Sequence, residues 1–173
     1  MGQDVKEKEM KVVDGVDYLR GIKDEDSVLL NPANLPYPNT GGSYIAGNMS
    51  YGKWYRIAVG GVGSFPSTGI FNIANNYSNE AAKGILFYAF AEGFANGSTI
   101  SKIASSATSP ISKARVVFAQ STSLMSFLDI LVRLGGTNTL CISASSLIGF
   151  KLQIPEEVSA SIPEGYSVKE LAF

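Results

Sequence analysis

From about residue 50 onward the chain is written in short apolar runs rich in β-branched and aromatic residues. Gly, Asn, Ser and Pro separate the runs at spacings of roughly 8 to 15 residues, too close for a succession of helices and right for strands joined by turns. The pattern predicts strands at residues 53–59, 69–74, 84–92, 99–103, 112–119, 125–134, 139–144, 147–153 and 166–173. That number suits a jelly roll or similar sandwich. The run Gly84 to Glu92 is continuously apolar and fits a buried helix as well as a buried strand; its aromatic load and flanking glycines favour the strand. No heptad run or internal repeat encodes a long shaft.

The head of the chain has a different character. Residues 1–26 hold eight acidic and five basic side chains, leaving seven acidic and nine basic for the rest. Their hydrophobes are sparse, and Asp14-Gly15 and Gly21 interrupt any long helical pattern. Asn31 to Gly42 follows, with three prolines and two glycines that favour extended or turned backbone. The expected organisation is an extended N-terminal arm and linker over 1–40 and an all-β, jelly-roll-like sandwich, a knob, over 41–173. Such an arm orders when a partner supplies the surface it lacks. Its apolar residues Val12, Val13, Val16, Tyr18, Leu19 and Ile22 are therefore the candidate attachment contacts.

Much chemistry is excluded by composition. The chain has no histidine, which removes Ser-His-Asp and Cys-His constellations and most zinc sites. Gly60-Gly61-Val62-Gly63-Ser64 lacks the Lys-Ser or Lys-Thr of a P-loop and is followed by Pro66, so it reads as a turn between strands. The net charge is -1 and the basic residues are scattered, which argues against a nucleic-acid partner. There is no apolar signal core at the N-terminus and no long uncharged apolar stretch, so neither secretion nor membrane insertion is expected. Cys141, alone in the apolar run Thr139 to Ile142, reads as a buried thiol used as a small hydrophobe. No cofactor, metal or catalytic residue is expected.

A glycan hydrolase would need two convergent carboxylates. Beyond the arm the acidic residues are Glu80, Glu92, Asp129, Glu156, Glu157, Glu164 and Glu170. Six fall at strand ends, in turns or in the last strand. Asp129 lies within a strand, on the face of Arg133 and opposite Ile130 and Val132, where a structural ion pair with Arg56, Arg115 or Arg133 is the expected role. The same strand carries Leu128, Ile130, Val132 and Leu134 on one face and Met125, Phe127 and Leu131 on the other. Apolar bulk on both faces calls for cover on both sides, from a loop of the same subunit or from neighbouring subunits. In the second case Met125, Phe127 and Leu131 form the subunit interface. Tyr37, Tyr44, Tyr51, Tyr77 and Phe94, set among Gly, Asn and Ser, are candidates for stacking on glycan rings, or alternatively for plugging the sandwich ends or subunit contacts.

Three stretches, Gly52-Lys53-Trp54-Tyr55-Arg56-Ile57-Ala58, Ile111 to Phe118 and Ile162-Pro163-Glu164-Gly165-Tyr166, together with Leu128-Asp129-Ile130, resemble the C-terminal knob of tailed-phage fibre proteins. The segment Val13 to Ile22 is similar to the one preceding such knobs in virion proteins of crAss-like and related phages of gut bacteria. The resemblance implies a homotrimeric virion protein, with its arm bound to the capsid or tail and its knob facing outward, where it can meet host-surface glycans. The missing shaft favours a head fibre or a small adaptor over a long tail fibre. A free-standing carbohydrate-binding or adhesin module is the alternative.

Overall fold

The computed structural model describes residues 19–23, 26–30, 42–62, 65–75, 83–92, 97–119, 123–133 and 138–173. The chain divides into two units, Met1–Tyr37 and Pro38–Phe173. In the first, β1 (Leu19–Lys23) and β2 (Asp26–Leu30) pair antiparallel, Leu19 opposite Leu30 and Lys23 opposite Asp26. This part of the expected arm thus forms a two-stranded ladder of its own.

The second unit is an all-β sandwich of two five-stranded antiparallel sheets. Its strands are β3 (Gly42–Met49), β4 (Trp54–Val62), β5 (Ser67–Asn75), β6 (Gly84–Ala91), β7 (Thr99–Ser105), β8 (Ile111–Phe118), β9 (Met125–Val132), β10 (Asn138–Ile148), β11 (Lys151–Val158) and β12 (Ser167–Ala172). The first sheet runs β3-β10-β5-β6-β7 and the second β11-β4-β9-β8-β12. The pairs β3 with β10 and β4 with β9 nest one inside the other on opposite sheets, as in a jelly roll. The roll stops there, because β5 continues into the meander β5-β6-β7 instead of pairing with β8.

Every strand expected from the sequence forms, including the ambiguous β6. Three elements were not expected: β1 and β2 within the arm, and β3, which occupies a stretch at the start of the sandwich where the pattern predicts no strand. Gly42 and Gly47 and the prolines upstream give it little strand character of its own, and pairing with β10 supplies what propensity does not. The turn into β11 also comes later than the pattern suggests. Gly149 sits there at φ 76°, and an added Cβ would stand 2.6 Å from the Pro66 carbonyl oxygen.

Alternation, interrupted by bulges in β4 and β8, builds the core between the sheets. Phe71 and Ile73 of β5, Ile85 and Phe87 of β6, and Leu140 and Ile142 of β10 face Ile57 of β4, Val116 of β8 and Leu128, Ile130 and Val132 of β9. Phe71 stacks on Phe87 with ring centroids 5.7 Å apart and meets Phe150 edge-on at 5.8 Å. Each such side chain contributes about 1.5–3 kcal/mol by leaving water. Cys141 corrects the expectation of a buried thiol. Leu140 and Ile142 take the inward positions, so the thiol lies on the outer side of β10, only partly covered.

The two outer faces differ. β11 and β12 hold opposite edges of the second sheet, and at opposite ends: Val158 pairs with Trp54, Ser167 with Phe118. Four strand spacings across and five residues along make a diagonal of about 25 Å. The nine Cα–Cα steps from Val158 to Ser167, fully extended, reach about 31 Å. A detour around either end is too long, so this strap passes over the outer face of the sheet.

Candidate functional site

Beneath the strap lies the densest polar cluster among the described residues. The register places Arg56 of β4, Asp129 of β9 and Arg115 of β8 in one row across three adjacent strands. Asp129 has no exposed surface. Its Oδ1 accepts from Arg56 Nε at 3.0 Å and its Oδ2 from Arg115 Nε at 3.1 Å. Arg115, 2% exposed, turns its other two nitrogens to the strap: Nη1 donates to the Ala160 carbonyl at 2.8 Å and Nη2 to that of Ser159 at 2.7 Å. A buried guanidinium is tolerable only when its donors find acceptors, and this one finds them on a sheet strand and on the strap at once.

Aromatic rings complete the enclosure. The Arg115 guanidinium lies 4.1 Å from the centre of the Trp54 ring and that of Arg56 3.5 Å from the centre of Phe127. Phe127 also meets Tyr166, at the far end of the strap, at 5.7 Å. Trp54 and Val117 are buried on this outer side. The second face of β9 is thus covered in part from within the subunit, by the strap and the arginines around Phe127. Phe127 and Leu131 are partly buried there, while Met125 is 49% exposed at the end of the strand. The sequence placed Asp129 correctly on the outer face, because parity along a strand is local; of the three arginines it offered, Arg56 and Arg115 reach the carboxylate, while Arg133 turns to the Phe173 carbonyl. It could not place the strap, which follows from which strands become edges.

The other carboxylates lie apart from the cluster. Glu157 pairs with Lys53 and Glu170 with Lys113, each at 3.0 Å and both exposed. The hydrogen bond and charge of Glu157 raise the Lys53 pKa above its ordinary 10.5. Glu156 and Glu164 are exposed, Glu92 is partly buried, and Glu80 lies outside the described residues. No group of three or more metal-ligating side chains occurs among the described residues. Gly60 and Gly61 belong to β4; a Cβ on Gly60 would run into the hydroxyls of Ser67 and Ser126, so these glycines serve close packing. The shallow depression beside Gly61, Phe65 and Leu124 encloses no room for a water molecule and is no ligand pocket.

Of the candidate glycan contacts, Tyr51 stands 66% exposed in the turn between β3 and β4. Tyr44 lies on β3 opposite Ile142. Tyr37, Tyr77 and Phe94 fall outside the described residues, as do the attachment candidates Val12, Val13, Val16 and Tyr18. Leu19 and Ile22 lie on β1. No protein-family model, curated protein or solved structure matches the chain.

Proposed function

We propose that the chain is a structural, non-enzymatic protein of a phage particle, a short homotrimeric fibre or decoration subunit. Its N-terminal unit binds the capsid or tail, and its sandwich is displayed outward. The observation that carries this reading is the division of labour along the chain. A small, charge-rich N-terminal unit precedes a sandwich whose buried ion cluster is fully engaged in holding its own strap. Such a body offers a stable surface to display. The resemblance of the Trp54 to Ala58 and Ile111 to Phe118 strands to fibre knobs supports the same reading.

The test is incorporation. A chain beginning at residue 38 should fold, judged by unchanged Trp54 emission, and should be missing from purified particles. Particles that take up the shortened chain at the normal level would overturn the reading. The alternative, a free-standing glycan-binding module, has the exposed Tyr51 in its favour. It predicts binding on a glycan array that Tyr51→Ala abolishes, and no association with particles.

A further inference from the structure

Among the described residues, no segment crosses the outer face of the first sheet as the strap crosses the second. β5-β6 and β6-β7 are neighbouring strands, and every other connection that begins or ends on this sheet within the sandwich passes to the opposite sheet, so none needs to cross this face. The register aligns Ile70 with Tyr88, Asn72 with Leu86 and Thr68 with Phe90, all outward. Ile70, Leu86, Tyr88 and Phe90 are each partly exposed. The remaining outward positions of β5, β6 and β10 are Gly, Ala, Ser, Thr, Asn, Cys141 and Ile148, which pairs with Thr68 beyond a bulge and is 61% exposed. The chain carries 14 basic and 15 acidic residues, and none stands at an outward position of these three strands. A sheet face meant for water is usually polar and often charged.

We propose that this uncharged face is the surface through which copies of the chain pack against one another. The occupant is a second copy because the face is neutral as well as apolar: it imposes no like-charge repulsion on itself and gives a charged partner nothing to pair with. Five strands, about 19 Å across, and eight paired residues span about 500 Å², the order of the roughly 800 Å² per partner of a standard interface. Geometry also admits three copies. Sheets about 19 Å wide, set as the sides of a triangle, stand between 5 and 6 Å from its axis, about half the 10 Å spacing of packed sheets, so side chains fill the middle. Four would leave a hollow. The inference rests on the preceding proposal for the number three alone.

Light scattering coupled to gel filtration on the full chain tests it, with Leu86→Asp and Tyr88→Lys as variants and the emission of the single tryptophan, Trp54, as the check on folding. A charge placed in the contact should weaken association by roughly a hundredfold or more. The expected wild-type mass is three times 18.4 kDa, falling to one subunit in either variant with Trp54 emission unchanged. A wild-type mass of two subunits that falls to one would support this face while overturning the trimer. A wild-type mass of one subunit at micromolar concentration overturns the inference. So does an assembled wild type whose folded variants keep their mass, which leaves the trimer standing with another interface. Should both variants fail to fold, the wild-type Cys141 thiol decides: its reaction with a disulfide reagent must quicken on dilution, and a rate independent of dilution overturns the inference.

Discussion

Asp129 and Arg115 show how much depends on single side chains in this sandwich. Removing the carboxylate by Asp129→Ala leaves Arg115 buried with its Nε unpaired, and loss of one partner of a buried pair costs on the order of 3–5 kcal/mol. A urea midpoint within error of wild type would contradict the geometry. Arg115→Met is a different experiment, since it frees the carbonyls of Ser159 and Ala160 and removes the stack on Trp54. Its expected signature is red-shifted tryptophan emission as the strap loosens, and unshifted emission would count against the anchoring role. The exposed Lys53–Glu157 pair gives a contrast. Its folded lysine pKa is raised, so its small contribution is complete at neutral pH and fades only as pH climbs past 10.5 through that raised value. Lys53→Met should leave the midpoint at pH 7 almost unmoved.

Elements were legible where a strand announces itself by alternation. β6, β8 and β9 could be read from Ile85, Phe87 and Ala89, from Ala114 and Val116, and from Leu128, Ile130 and Val132, because inward residues recur every second position. β3 was not legible, since Gly42-Ser43-Tyr44-Ile45-Ala46-Gly47 becomes a strand only once β10 lies beside it. The ion cluster was half legible. The parity of Asp129 was local information, whereas the arginines that reach it depend on strand order. The β10–β11 turn was misplaced because what fixes it is one backbone angle. Gly149→Ala tests this directly: a left-handed φ and the nearby Pro66 carbonyl should together cost about 1–3 kcal/mol, read as a lowered thermal midpoint. An unchanged midpoint would mean that the turn relaxes freely.

For the whole sandwich, the strap fixes a length. The nine steps from Val158 to Ser167 exceed the diagonal by only about 6 Å, slack that the turn from Pro163 to Tyr166 takes up, so removing Ser161 and Ile162, about 7 Å of chain, uses up all of it and strains the pairing of β12 with β8. The shortened protein should lose the buried environment of Trp54 and denature at lower urea. Inserting two glycines after Gly165 should cost well under 1 kcal/mol, because loop closure depends only weakly on length. Equal effects of shortening and lengthening would refute a taut crossing.

The position of β3 has a consequence for how the molecule is made. β3 joins its sheet through β10 alone. On the ribosome it emerges about 90 residues ahead of that partner, a wait of roughly 5 to 20 s at ordinary elongation rates. Through that interval its backbone donors and acceptors stay open beside other nascent copies on the same messenger. When β10 appears, the β3 of the same chain and that of a neighbour compete for it, so strand exchange between subunits is the characteristic error of this topology. Translation speed upstream of β10 is then a determinant of how much correctly closed protein a cell obtains.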